Sequence, residues 1–168
     1  MASFKYKHNM NANGGRVLVN KTITDSTELT IGEAVKLTSG KLVVGGAGGA
    51  IFGILAGIKK KDGSPVTDNG DGGNYVSTYT TPTSNTVVGV VDVSKTSVYS
   101  VTADNTLGET TGSGLCGYNM DAVAASNQLD ESTSATTAAT FFSLGVDTDG
   151  DAPANSVLVT IQESIMDL

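Results

Sequence analysis

The 168-residue sequence predicts a mainly β protein, a small β-barrel or curved sandwich with long polar loops and an extended N-terminal arm. Three observations carry that expectation. Valine, isoleucine and threonine recur in short alternating runs, the pattern of half-buried strands. Glycine, serine and asparagine separate those runs at turn positions, and with 21 glycines against 3 prolines it is glycine that does most of the breaking. Tryptophan is absent, so the core must be built largely from valine, leucine, isoleucine and alanine.

Each element follows from its residues. Residues 1–15 are polar and mildly basic, and read as an N-terminal arm in which Phe4, Tyr6 and His8 alternate like the face of an edge strand. Residues 16–168 read as one β domain with an elaborated second half over 64–156. Residues 16–24 form the first strand, 25–27 turn, and 28–31 form a short strand that Gly32 breaks. Residues 34–37 and 41–44 make a hairpin through Thr38-Ser39-Gly40, with glycine where a positive φ is needed. Residues 51–58 form a central apolar strand, and Gly53 and Gly57 inside it mark bulging or tight curvature.

The strand ends in Lys59, Lys60 and Lys61, a run that would blunt an exposed sheet edge or serve as a candidate basic interface. Residues 75–80, 86–93 and 97–103 read as further strands. Residues 119–126 read as a strand or a helical turn, and 127–140 as a loop or short helix. Residues 141–146 form a buried strand and 156–166 the closing one.

Charge is divided along the chain. Residues 1–61 carry nine basic and three acidic side chains, a net of +6; the remaining 107 residues carry one and fourteen, a net of −13. The halves can compensate within one chain or between neighbouring copies. The overall −7 and the thin spread of basic residues argue against direct nucleic-acid binding. No unbroken apolar run is long enough to cross a membrane. The glycine-rich run 42–58 reads as hinge plus strand, with a fusion-peptide-like segment as the alternative. The first residues lack the apolar segment of a secretory leader. Cys116 stands alone, so no intrachain disulfide is expected, and its setting beside Leu115 reads as a buried thiol.

The chemistry-bearing residue types do not assemble into a reactive set. His8 is the only histidine, which leaves no histidine–carboxylate nucleophile system, and one histidine with one cysteine cannot build the usual zinc sites. The glycines at 45, 46, 48 and 49 lack the spacing of a nucleotide-binding loop. The acidic stretches 68–71 and 147–151 invite a calcium reading, but neither has the ligand spacing and late glutamate of the familiar loop. The expectation is a protein with no catalytic residues, no metal and no cofactor, working through its surface.

The strand after the arm, then Gly32-Glu33-Ala34-Val35, the hairpin and the Phe52-Gly53-Ile54-Leu55 strand resemble the small head-decoration (capsid cement) proteins of tailed bacteriophages. The resemblance covers residues 16–58. It implies a tulip or SH3-like barrel, a place on the outer surface of a viral head, the major capsid protein as partner, and a homo-oligomer, expected to be a trimer. Lys5, Tyr6 and Lys7 would then belong to a capsid-docking arm, and Val35, Leu37, Val43, Phe52 and Ile54 to the barrel core. On this view, removing residues 1–15 would abolish shell binding and leave the domain folded. The competing readings are a tail-tube, fibre or minor shell subunit, and a carbohydrate-binding module with Tyr75 and Tyr79 on one strand face.

Overall fold

The computed structural model describes residues 3–11, 14–45, 51–64, 66, 78–80, 87–107, 115–123, 127–135 and 140–162. Among them the fold is mainly β and contains no helix. The calcium reading of residues 68–71 and the tyrosine face at Tyr75 lie outside the described residues.

Two antiparallel sheets dominate. The five-stranded sheet runs in the order β2 (Leu18–Thr22), β8 (Val87–Asp92), β6 (Gly53–Lys60), β4 (Ala34–Thr38), β5 (Lys41–Val44). The six-stranded sheet runs β1 (Lys5–Asn9), β9 (Ser97–Thr102), β13 (Ser156–Ile161), β12 (Phe141–Val146), β10 (Asn119–Ala122), β11 (Leu129–Ala135). A small third sheet pairs β3 (Glu28–Thr30) with β7 (Thr78–Thr80).

The β4–β5 hairpin forms as its sequence dictates. Ser39 and Gly40 take φ of 51° and 77°, the pair of left-handed residues that matches a tight turn to the twist of its strands. Within β6 the register slips between Leu55 and Gly57, so the expected bulge lies there. Gly89 on β8 is required by packing. A Cβ at that position would lie 2.5 Å from Leu42 Cδ1 and 2.9 Å from Leu55 Cδ1.

The inner face of the five-stranded sheet packs Val35, Leu42, Leu55, Ile58 and Val91 against Ile23, Leu29 and Phe52. The sheet curls around this cluster until β5 and the end of β2 meet at one parallel bridge, Ile23 to Leu42. No ladder continues from that bridge, so the sheet is not a closed barrel. The second core lies under the six-stranded sheet and joins Phe4, Tyr99, Met120, Phe141, Val157 and Val159 to Ala34 and Ile54. Ala34 and Ile54 face each other across β4 and β6, on the side opposite to Val35 and Leu55. The five-stranded sheet therefore contributes one face to each core.

Several expectations are corrected by this arrangement. Residues 129–135 are strand β11, not a loop or helix, because they complete a ladder with β10 that local propensity does not reveal. Lys59 and Lys60 end an interior strand: they pair with Val88 and Val87 on one side, while among the described residues β4 borders β6 only at Gly53 and Ile54. Val43 does not point into the core with Val35; it shares the outer face with Lys36, and the fully buried residue of β5 is Leu42. Cys116 is exposed. It sits in a turn between Leu115 and Gly117, at φ of 60° and 87°, where Leu115 takes the inward position instead.

The N-terminal residues are extended, and they lie along their own chain. β1 pairs with β9, from Lys5 opposite Ser100 to Asn9 opposite Ser97. Phe4 is 3% exposed and stacks on Phe141 with ring centroids 4.8 Å apart. Gly32, at φ 87°, links this segment to the rest: Phe4 N–H donates to Gly32 O and Gly32 N–H donates to Leu55 O, both at 2.7 Å. Removing residues 1–15 would therefore strip an edge strand and a core aromatic from the domain that the sequence reading expected to stay folded.

Candidate functional site

The residues nominated from the sequence separate into two places. Lys5, Tyr6 and Lys7 lie on β1, at the edge of the six-stranded sheet. Lys59 and Lys60 end β6 in the other sheet, and Lys61 lies in the exposed turn that follows. The fold does not bring the two groups into one site.

The surface around β1 is built from two edge strands and the strap between them. β1 ends one sheet and β2 begins the other. The strap is pinned by a buried carboxylate. Asp92 is fully buried at the end of β8. Its Oδ2 accepts from Arg16 Nε at 2.7 Å, Ser97 Oγ at 2.8 Å and Tyr99 Oη at 2.6 Å. Its Oδ1 accepts from the Ser94 N–H at 3.0 Å. Four donors fill the acceptor capacity of one carboxylate. Burial, then the hydrogen bond to Asp92, pushes the Tyr99 hydroxyl far above its ordinary range, so it serves as a permanent donor. The Arg16 guanidinium in turn stacks over the Tyr6 ring, 4.5 Å from its centroid.

This pinning leaves apolar side chains outside. Of the five large apolar residues exposed among the described residues, four are Tyr6, Met10, Val17 and Leu18. Backbone bonds from Met10 to Thr96 and from Val93 to Val17 hold them around the β8–β9 turn. A crevice of about 260 Å³ opens beside them, lined by Phe4, Tyr6, Arg16, Ile54, Ala56 and Tyr99. Sequence reasoning found Tyr6 but missed Val17 and Leu18. Alternation along the strand expected over residues 16–24 puts Val17 and Leu18 on opposite faces, and neither is covered, because the strand begins only at Leu18 on the edge of its sheet.

Lys7 has a different position. Its ammonium lies 3.3 Å from Asp147, 2.9 Å from Asp149 and 4.0 Å from Asp151. The acidic turn thus already holds a cation supplied by its own chain. Among the described residues no group of three His, Cys, Asp or Glu side chains is arranged to hold a metal ion. The hydrogen bond to Asp149 is the chief reason the Lys7 ammonium is held above its ordinary range. Burial by itself would raise Asp147, but the Ser100 hydroxyl, the Asp149 N–H and Lys7 outweigh it and hold that carboxyl below the usual range.

The remaining buried acid is Glu33, 6% exposed. Burial raises its pKa, against an opposing hydrogen bond from the Thr30 N–H at 2.9 Å. It lies in the turn before β4 and closes that turn on itself, a structural task. What the described surface offers is a group of exposed apolar side chains on β1, β2 and the residues between them, with Lys5 and Arg16 beside it. Comparison of the chain with protein-family models, curated proteins and solved structures finds no match.

Proposed function

We propose that this is a non-enzymatic structural protein that binds the outside of a viral head and stabilises the lattice of the major capsid protein. The observation that carries the reading is the exposure of Tyr6, Met10, Val17 and Leu18 on the edge strands β1 and β2 and the residues between them, beside the buried Asp92 network. Exposed apolar side chains scattered singly need no explanation, whereas a contiguous group marks a contact surface. Preorganisation lowers the ordering cost of binding. Lys5 beside the edge favours an acidic partner surface, while Lys7 is committed to the acidic turn and steadies β1 rather than docking. We read the curled five-stranded sheet as an opened small barrel, the tulip or SH3-like element that the resemblance implies, with the six-stranded sheet added to it. A trimer is the assembly proposed for the head-bound state.

The test is co-sedimentation with DNA-free heads. The full chain should pellet with heads, and Tyr6→Ser with Leu18→Ser should weaken binding by about tenfold or more, as expected when anchors at an interface centre are lost. The unfolding midpoint of the double variant should stay near that of the parent. A parent chain that never pellets with heads would overturn the reading. Assembly into open rings stacked as a tube would favour a tail-tube subunit instead.

A further inference from the structure

The fold sorts charge more sharply than the sequence does. Lysines 21, 36, 41, 59 and 60 all fall on strands of the five-stranded sheet, whose only strand carboxylate is the fully buried Asp92. The register places Lys36 opposite Val43 and Thr38 opposite Lys41, and it places Lys59 opposite Val88. Facing residues on antiparallel strands share a side. Lys36, Lys41 and Lys59 therefore share the outer face with Val43, Val88 and Val90, half-buried valines that neither core uses, on the same face that gives Ala34 and Ile54 to the second core. Among the described residues none of these three lysines makes an ion pair.

The opposite charge sits on the other sheet. The turn after β12 carries Asp147, Asp149 and Asp151 against the single ammonium of Lys7, which leaves it an excess of two negative charges. Asp149 and Asp151 have side chains 65% and 92% exposed.

We propose that the outer lysine face of the five-stranded sheet receives the acidic turn of a second copy of this chain. The complement to the face is present on the same molecule, in a turn of the other sheet, and it makes no ion pair with these lysines. The contact is head-to-tail, so each copy offers one face and one turn. Such contacts close into a ring where the rotation permits and otherwise propagate as a filament. The inference deepens the proposed structural role, and its test uses no heads, so failure of self-association and failure of head binding are read separately.

The experiment is the solution mass of the full chain by sedimentation. At about 0.01 M salt, where screening extends over roughly 30 Å, the parent should associate; at about 1 M, where it falls to roughly 3 Å, the mass should drop. Lys36→Glu with Lys59→Glu should be monomeric at low salt. Asp149→Asn with Asp151→Lys should be monomeric too. An equimolar mixture of the two variants should associate again at low salt, because each altered surface then meets a complementary one. Asp151→Lys alone, at a fully exposed site away from the cores, provides the same comparison should the Asp149 change loosen the Lys7 contact. A parent that is monomeric at low salt, variants that keep the parent's mass, or a mixture that stays monomeric would each overturn the proposal.

Discussion

Replacing Asp92 with asparagine tests the pin on which the N-terminal edge depends. The substitution is nearly isosteric, so the cavity term is small. It swaps one acceptor oxygen for an amide that points two hydrogens into a site already lined by donors from Arg16, Ser94, Ser97 and Tyr99. Removing one member of a buried ion pair costs about 3–5 kcal/mol, because the partner charge is left without compensation. The Arg16 side chain is 28% exposed, so water recovers part of that loss and the lower end, about 3 kcal/mol, is expected.

Urea unfolding reads this out. With a slope of about 2 kcal/mol per molar, the midpoint should fall by about 1.5 M. In a chain of this size the thermal midpoint should fall by roughly 6–12 °C. Tyr99→Phe, which removes one of the four donors, should cost about 1.5 kcal/mol, and the double variant should lose less than the sum of the two. Amide exchange at 16–18 and 97–99 should accelerate in Asp92→Asn more than in the distant β4–β5 hairpin. A midpoint within about 0.3 M of the parent, or strict additivity with Tyr99→Phe, would refute the view that one carboxylate organises this corner.

Three further outcomes follow from the same packing. Phe4→Ala should destabilise by about 3–5 kcal/mol in urea unfolding, since it removes a buried ring stacked on Phe141; a change below about 1 kcal/mol would return residues 1–9 to the status of a detachable arm. Glu33→Gln should raise the unfolding midpoint at neutral pH. The native Glu33 pKa is raised by burial, so the parent gains stability from this group only at low pH and loses it as pH rises through the native value; the variant's advantage should vanish on acidification. Lys7→Met should behave in the opposite sense. Asp147 is depressed in the native state, so its contribution is present above the unfolded value and lost as pH falls through the native one, and the cost of removing Lys7 should shrink toward zero in acid, as urea midpoints across pH will record.

Much of this fold could be read from the residues. The hairpin at Ser39-Gly40, the break at Gly32 and the bulged interior strand are local events, set by φ requirements and by a period of two, and they occur where the sequence places them. The errors concern partners far along the chain. Residues 129–135 carry no strong strand signature and become a strand because β10 offers a ladder. Val43 and Leu42 differ by one position, and which of them is buried depends on Ile23 meeting β5 across the curled sheet. The N-terminal segment alternated visibly, yet nothing local tells that Phe4 would sit between Phe141 and Tyr99, more than ninety residues away. The candidate surface was half legible for the same reason. Tyr6 was nominated from its segment, whereas Val17 and Leu18 are left exposed only by the position of β2 at the end of its sheet.

The division of charge into a basic first part and an acidic second part has two physical outcomes in one molecule. Where the segments meet, the charges are consumed: Lys7 crosses from β1 to the turn after β12, and Arg16 crosses from the strap to Asp92. These contacts join residues of the basic part to residues of the acidic part, and both hold the N-terminal segment against the sheets. Lys36, Lys41 and Lys59 do not follow, because the register of the five-stranded sheet turns them away from its inner core and they make no ion pair among the described residues. In the self-association proposed above, a face left positive by its register meets the acidic turn of another copy, and salt weakens that contact. The same antiparallel register that buries Leu42 and Leu55 therefore also decides which side chains are left for contact between molecules.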